Sequence, residues 1–176
     1  MRLIGVYGEN GMKRPSAICF CNTRWESMRS LLSPCTEPPP PKAVQFHRWI
    51  NFHEPISKAM PIVPDGYFEC ISPNGIHPMF LEVDLGTEPK RTWKKKKTTA
   101  YLQLAISGEF QHLFHHTQFR VLVVASSERR LKSIRAVVAE STEKSFGSPP
   151  LNLLTAKAFW SPIWLRPKGD QRLPLM

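Results

Sequence analysis

The sequence predicts an α/β domain: a central mixed β-sheet of four or five strands with helices on both sides. Three observations point there. Residues 120–125, Arg-Val-Leu-Val-Val-Ala, are a continuous apolar, β-branched run of the kind a strand shows when both its faces are covered. Two strand-like segments lie upstream, joined by the turn signal Ser72-Pro73-Asn74-Gly75. Segments of helical period flank the apolar run on either side.

In chain order, residues 1–43 carry no sustained period and hold the run Pro38-Pro39-Pro40-Pro41, which reads as a stiff polyproline linker. A short helix over Arg24–Leu32 fits Trp25, Met28, Leu31 and Leu32, which fall near one face; the rest is expected to be an irregular, disordered tail. Val44, His47 and Ile50 stand at helical spacing, so a short opening helix is expected. Tyr67–Ile71 and Met79–Leu85 read as the two strands of a hairpin. Gly86-Thr87-Glu88-Pro89 ends the second strand and starts a helix over Lys90–Ser107, with Thr87 as cap, Pro89 in the first turn and Gly108 as terminator. After the strand at 120–125, Ser126-Ser127-Glu128 opens a helix with Leu131, Ile134, Val137 and Val138 on its apolar side. Pro149-Pro150 closes that unit, and Leu151–Thr155 and Phe159–Leu165 read as short edge strands. The expected order is helix, strand, strand, helix, strand, helix, strand. One domain spans residues 44–166, and residues 167–176 form a loose tail.

Bulk properties narrow the partners. Among 176 residues, 24 Lys and Arg face 14 Asp and Glu, a formal charge of +10, which attracts polyanions and favours DNA as partner. Nothing approaches the roughly 18 apolar residues of a membrane span, and the N-terminus lacks a signal-peptide pattern, so a cytoplasmic protein with no membrane partner is expected. Cys19, Cys21, Cys35 and Cys70 are too few and too unevenly spaced for a disulfide framework or a zinc site, and read as free thiols.

Strand parity marks the candidate chemistry. On Met79–Leu85, residues Met79, Leu81, Val83 and Leu85 share one face while Phe80, Glu82 and Asp84 share the other. Two carboxylates on one face of an apolar strand are costly to bury unless neutralised, hydrogen-bonded or metal-bound. At roughly 7 Å apart along the strand they can reach one hydrated cation. Asp65, Tyr67 and Glu69 share a face of the preceding strand, and a hairpin can bring Asp65 beside Glu82. On the following helix Lys97 is central in the stripe that packs on the sheet, with Trp93 and Tyr101 about 40° to either side at 100° per residue. A metal held by two acids with an ammonium nearby suits phosphodiester hydrolysis.

The string Pro64-Asp65-Gly66-Tyr67-Phe68, then Phe80-Leu81-Glu82-Val83-Asp84-Leu85-Gly86-Thr87-Glu88, then Lys97 and Tyr101, resembles the replication-relaxation family and, through Pro64-Asp65 and Glu82-Val83-Asp84 sixteen residues on, the PD-(D/E)XK nuclease signature. The resemblance spans residues 44–165. It implies a restriction-endonuclease-like fold and a DNA-processing role in replication control or mobilisation of a plasmid or mobile element. It also implies a site in which Asp65, Glu82 and Asp84 bind Mg²⁺ or Mn²⁺ and Lys97 stabilises the attacking water. The usual signature ends in lysine where this chain has Asp84, so Lys97 must supply the cation from the helix. Members of the family usually carry a winged-helix domain before the nuclease-like part; the forty residues here do not make one, which leaves room for a protein partner that supplies it.

Other readings compete. Glu82 and Asp84 can instead be structural ion pairs with Lys97 and arginines, in a catalytically inactive module that binds DNA or protein. Lys94, Lys95 and Lys96, with Trp93 and Tyr101 adjacent, are the expected DNA contacts; a solvated helix face is the plainer alternative. Glu54 is a candidate additional acid, Glu69 is expected at the surface, and His112, His115 and His116 are expected in a Phe-rich loop without metal. Deleting residues 1–42 should leave the melting temperature of the remainder unchanged, since the segment offers too little apolar surface for a core; a fall of several degrees would show that it packs.

Overall fold

The structure, a computed structural model, describes residues 43–86, 89–142, 146–147 and 160–175. Strands β1 (Gln45–Ile50), β2 (Gly66–Ser72), β3 (Gly75–Asp84), β4 (Arg120–Ala125) and β5 (Phe146–Gly147) form one mixed sheet in that spatial order. β1, β2 and β3 are an antiparallel meander, and β4 and β5 run parallel to β3. The predicted hairpin is present with Ser72 opposite Gly75 and Pro73-Asn74 at its tip. Gly75 has φ 114°, a region only glycine enters cheaply.

One helix, α1, fills the predicted span: Lys90–Thr92 is α-helical, Trp93–Thr98 is π-helical and Thr99–Ile106 is α-helical again. It stops before Gly108, whose φ of 75° turns the chain. The Phe-rich segment expected as a loop is instead a short helix, α2 (Glu109–Phe114), because Phe110 and Phe114 are four residues apart and both are buried. α3 (Glu128–Ala139) starts where Ser127 accepts a hydrogen bond from the Arg130 N–H at 3.2 Å. Strands β6 (Trp164–Leu165) and β7 (Arg172–Leu173) pair antiparallel in a separate two-stranded sheet.

The helix expected at Val44–Ile50 is β1. The register slips between Phe46 and Arg48, so this edge strand carries a bulge. The extra residue lets Phe46 and Trp49, three apart in sequence, both stack on Phe68 of β2, at centroid distances of 6.4 and 5.8 Å. The spacing of Val44, His47 and Ile50 does not mark one face: Val44 packs in the cluster with Phe68, and Ile50 against the opposite one. Gly66 accommodates this stacking: a Cβ there would stand 2.7 Å from the Trp49 ring.

Helices on both sides were expected, yet all the described helices pack on one. Tyr67, Phe80, Val121 and Val123 meet Trp93, Tyr101, Leu104, Phe110, Phe114, Leu131, Ile134 and Val138 there. The order β3-β4-β5 advances in one direction, and right-handed crossovers taken in one direction put their helices on one face. Phe68, Met79, Leu81, Val83, Leu122 and Val124 line the other face, covered by Trp164 and Leu175 with Trp49 and Ile163. The segment after Pro167, expected to be loose, thus packs on the sheet: Leu175 is buried, and its carbonyl accepts a 2.6 Å hydrogen bond from Arg120. The expected helix at Arg24–Leu32, the Thr87 cap and the strand at Leu151–Thr155 lie outside the described residues.

Replacing Trp164 with Ala should cost roughly 3–5 kcal/mol, the range for a buried aromatic, read as a lower urea midpoint at unchanged slope. A wild-type midpoint would mean that the C-terminal segment does not cover this face.

Candidate functional site

Parity places Phe80, Glu82 and Asp84 on the helix-facing side of β3, and the helices close over them. Glu82 is 0% exposed and Asp84 3%. Two carboxylates in such a place need donors, and α1 supplies most of them. Lys97 Nζ lies 2.7 Å from one Glu82 oxygen, and the Tyr101 hydroxyl donates to the other at 2.6 Å. The Trp93 indole N–H donates to Asp84 at 2.5 Å. Trp93, Lys97 and Tyr101 are four residues apart, and an α-helical stripe at that spacing drifts by roughly 40° per step. The wider π turn between Trp93 and Thr98 offsets that drift, so all three reach the acids. The Lys97 ammonium also stands 5.0 Å from the centre of the Trp93 ring, within cation–π range.

Asp84 is held from a second side. Arg130, at the start of α3, forks onto both its oxygens, Nε at 2.8 Å and Nη2 at 2.7 Å, and the Gly86 N–H adds a bond at 2.6 Å. Burial opposes ionisation of Asp84, but the bonds from Arg130, Trp93 and Gly86 outweigh it and hold the carboxyl below its usual range. Glu82 goes the other way: burial pushes it up to about 7 against the pull of Lys97, and the charge of Asp65 adds to the rise. Asp65 sits just before β2. The β2–β3 register, Gly66 opposite Leu81, continued by one residue sets it across from Glu82. Its carboxylate accepts the Val83 N–H at 2.6 Å and so extends the ladder with a side chain.

Asp65, Glu82, Asp84 and Lys97 are therefore gathered at the carboxyl end of β3 and the face of α1. The arrangement is a donor-saturated network, and the donor set as placed does not fit Mg²⁺ or Mn²⁺. Such an ion would need the oxygens that Lys97, Tyr101, Trp93 and Arg130 already occupy. Among the described residues, no group of three or more His, Cys, Asp or Glu side chains is arranged to hold a metal. Trp93 and Tyr101, expected against DNA, are buried, because their polar atoms serve the acids. Lys96 is exposed, and the side chains of Lys94 and Lys95 lie outside the described set. Glu54 is exposed in the loop before β2, in no helix.

Arg130 was not singled out in the sequence as the partner of Asp84, since 46 positions separate them. Glu69, expected at the surface, is a third buried carboxylate at 1% exposure. It accepts from the Tyr67 hydroxyl at 2.5 Å, pairs with Arg48 at 2.6 Å and meets His116 Nε2 at 3.1 Å. Its parity with Tyr67, on the face that α2 covers, was the available signal. His112 and His115 are exposed, so the three histidines do not converge.

Residues 37–117 match the protein family described as Replication-relaxation. The match takes in β1 to β3, α1 and α2, with Asp65, Glu82, Asp84, Lys97 and Tyr101. No curated protein and no solved structure matches the chain.

Two outcomes follow from the network. Removing Arg130 (Arg130→Ala) strands a buried charge at Asp84 and should destabilise the fold by about 3–5 kcal/mol, seen in urea denaturation at pH 7. Glu82 gives a pH signature. Its folded value of about 7 lies above the ordinary 4.5, so between those values the folded state binds more protons than the unfolded chain. This group therefore makes stability fall as pH rises from about 4.5 to 7. Glu82→Gln should remove that component of the slope in a pH series of denaturation curves, and an identical slope in the mutant would refute the assignment.

Proposed function

We propose that this chain is a DNA-binding module of replication or mobilisation, built on a nuclease-like α/β scaffold whose acid face serves structure and not metal catalysis. The observation that carries the reading is the saturation of that face: both oxygens of Glu82 and both of Asp84 are held by protein donors. Support for the scaffold comes from the β1-β2-β3-α1-β4 order, with an antiparallel meander followed by a parallel strand, and from Asp65 and Glu82 on facing strand ends. Support for DNA comes from the formal charge of +10 and from the family match.

A second reading, a Mg²⁺-dependent phosphodiesterase, is favoured by one feature, the Lys97 ammonium beside Glu82 with Asp65 across the hairpin. In that case Asp65 and Glu82 would hold the ion, which would supply a polarised phosphoryl oxygen and an activated water. Lys97 and Tyr101 would first have to release Glu82. Thermal melts and a cleavage assay on supercoiled and linear DNA, each with Mg²⁺, Mn²⁺ or EDTA, separate the two. The structural reading expects no cleavage and a melting temperature indifferent to the ions. Cleavage abolished by Asp65→Ala, with a Mg²⁺-dependent rise in melting temperature, would establish the enzyme instead.

DNA affinity should fall steeply with salt and vary little with sequence. Changing Lys94, Lys95 and Lys96 to Gln should flatten the plot of log K against log salt by up to about 0.9 for each duplex phosphate those lysines neutralise. An unchanged slope in a fluorescence titration would move the DNA-facing surface elsewhere.

A further inference from the structure

At the end of β3 opposite Glu82 and Asp84, a cleft of about 250 Å³ opens between the start of β3 and the segment leading into β4. Its polar lining includes His77, His116, Gln118 and Arg120, and its apolar lining includes Ile76 and Phe119. The volume falls below the roughly 300–1,000 Å³ of an ordinary small-molecule pocket, so it suits a phosphate with part of one nucleotide unit and not a large cofactor. Among the described residues the lining holds no carboxylate of its own, with Glu69 behind it on His116.

Arg120 makes a hydrogen bond to the Leu175 carbonyl but, among the described residues, pairs with no acid. Arg166 stands close enough to act on it as a like charge. Burial and then the charge of Arg120 also hold His77 below its ordinary value. His77 is tethered to Ser72 Oγ at 2.7 Å, and His116 to Glu69 at 3.1 Å, so both rings are fixed before any ligand arrives. An arginine that pairs with no acid among the described residues, beside an apolar wall with Ile76 44% exposed, matches a phosphate joined to a base or sugar.

We propose that this cleft is a nucleotide subsite: Arg120 takes the phosphate of one unit of a DNA strand, His77 and Gln118 flank it, and Ile76 and Phe119 receive its base or sugar. The proposal rests on the DNA-binding reading only for the source of the phosphate, since a free nucleotide carries the same chemistry.

Gln118 is exposed, which makes it the position to vary: Gln118→Glu adds a negative charge at nearly constant shape, and Gln118→Lys adds a positive one. Anisotropy with a labelled single-stranded oligonucleotide should show Gln118→Glu binding roughly tenfold more weakly at low salt, with a salt slope flatter by about 0.7 if one phosphate is no longer held. Gln118→Lys should bind more tightly than wild type. Two variants with wild-type affinity, alongside a wild type that binds DNA, would overturn the cleft and leave the DNA-binding reading intact. In a second arm, dTMP and inorganic phosphate are titrated while the imidazole NMR signals of His77 and His116 are followed. If the wild type binds no DNA, the DNA-binding reading fails; imidazole shifts with dTMP that disappear in Gln118→Glu would still establish the cleft as a free-nucleotide site. No shift with either ligand, in a protein that also binds no DNA, would overturn it.

Discussion

Three carboxylates lie on the helix-facing side of a sheet that is otherwise apolar, and their neutralisation constrains most of what surrounds them. Glu69, Glu82 and Asp84 are all buried. An ionised group in such a place costs several kcal/mol after relaxation unless donors surround it. Glu82 accordingly fixes Lys97 and Tyr101, which sets the rotation of α1 about its axis. Asp84 fixes Trp93 and Arg130, which sets the position of α3 against β3. Glu69 ties Arg48 of β1 and His116 beyond α2 to β2. Ion pairs of this kind add little net stability compared with an apolar core, but breaking one is expensive, so their effect is to exclude other packings.

The constraint also separates the two ends of the sheet chemically. At the carboxyl end of β3, negative charge is balanced within the protein, by donors from α1, α3 and the chain turn at Gly86. At the amino end, Arg120 meets no acid among the described residues, and Arg166 adds a second positive charge nearby. In open α/β sheets ligands favour a crevice where the strand order reverses. The sequential order β3-β4-β5 offers no such reversal, and the described helices leave no gap over Glu82 and Asp84.

Much of this was legible in the sequence, and the failures have physical causes. Parity alone assigned Glu82 and Asp84 to one face and Lys97 to the stripe above them, because strand and helix periods are local. The hairpin, the strand at 120–125, α1 and α3 were legible for the same reason. The bulge in β1 was not, since one inserted residue breaks the period of two by which a strand is read. The π turn in α1 was not either: the 100° rule spread Trp93 and Tyr101 to the two sides of Lys97, where the wider turn aligns them. Placing helices on both faces required knowing the strand order, which hydrophobic pattern does not encode. Glu69 was read from its distance along the strand instead of from its parity with Tyr67, and parity was the better guide.

The same local rules explain why the Pro-Asp and Glu-Val-Asp spacing and a face filled with donors coexist. The Pro64-Asp65 and Glu82-Val83-Asp84 positions are set by backbone register, which any chain keeping this hairpin retains. Metal binding is set by what stands opposite, and here that is Lys97, Tyr101, Trp93 and Arg130. Asp84 shares its face of β3 with Glu82, so that face carries a second negative charge and needs a second cation. Arg130 answers that charge with a two-point fork, a geometry lysine does not reproduce. Once the fork and the indole hold Asp84, Glu82 is left with Lys97 as its paired cation among the described residues, and burial outweighs that pairing.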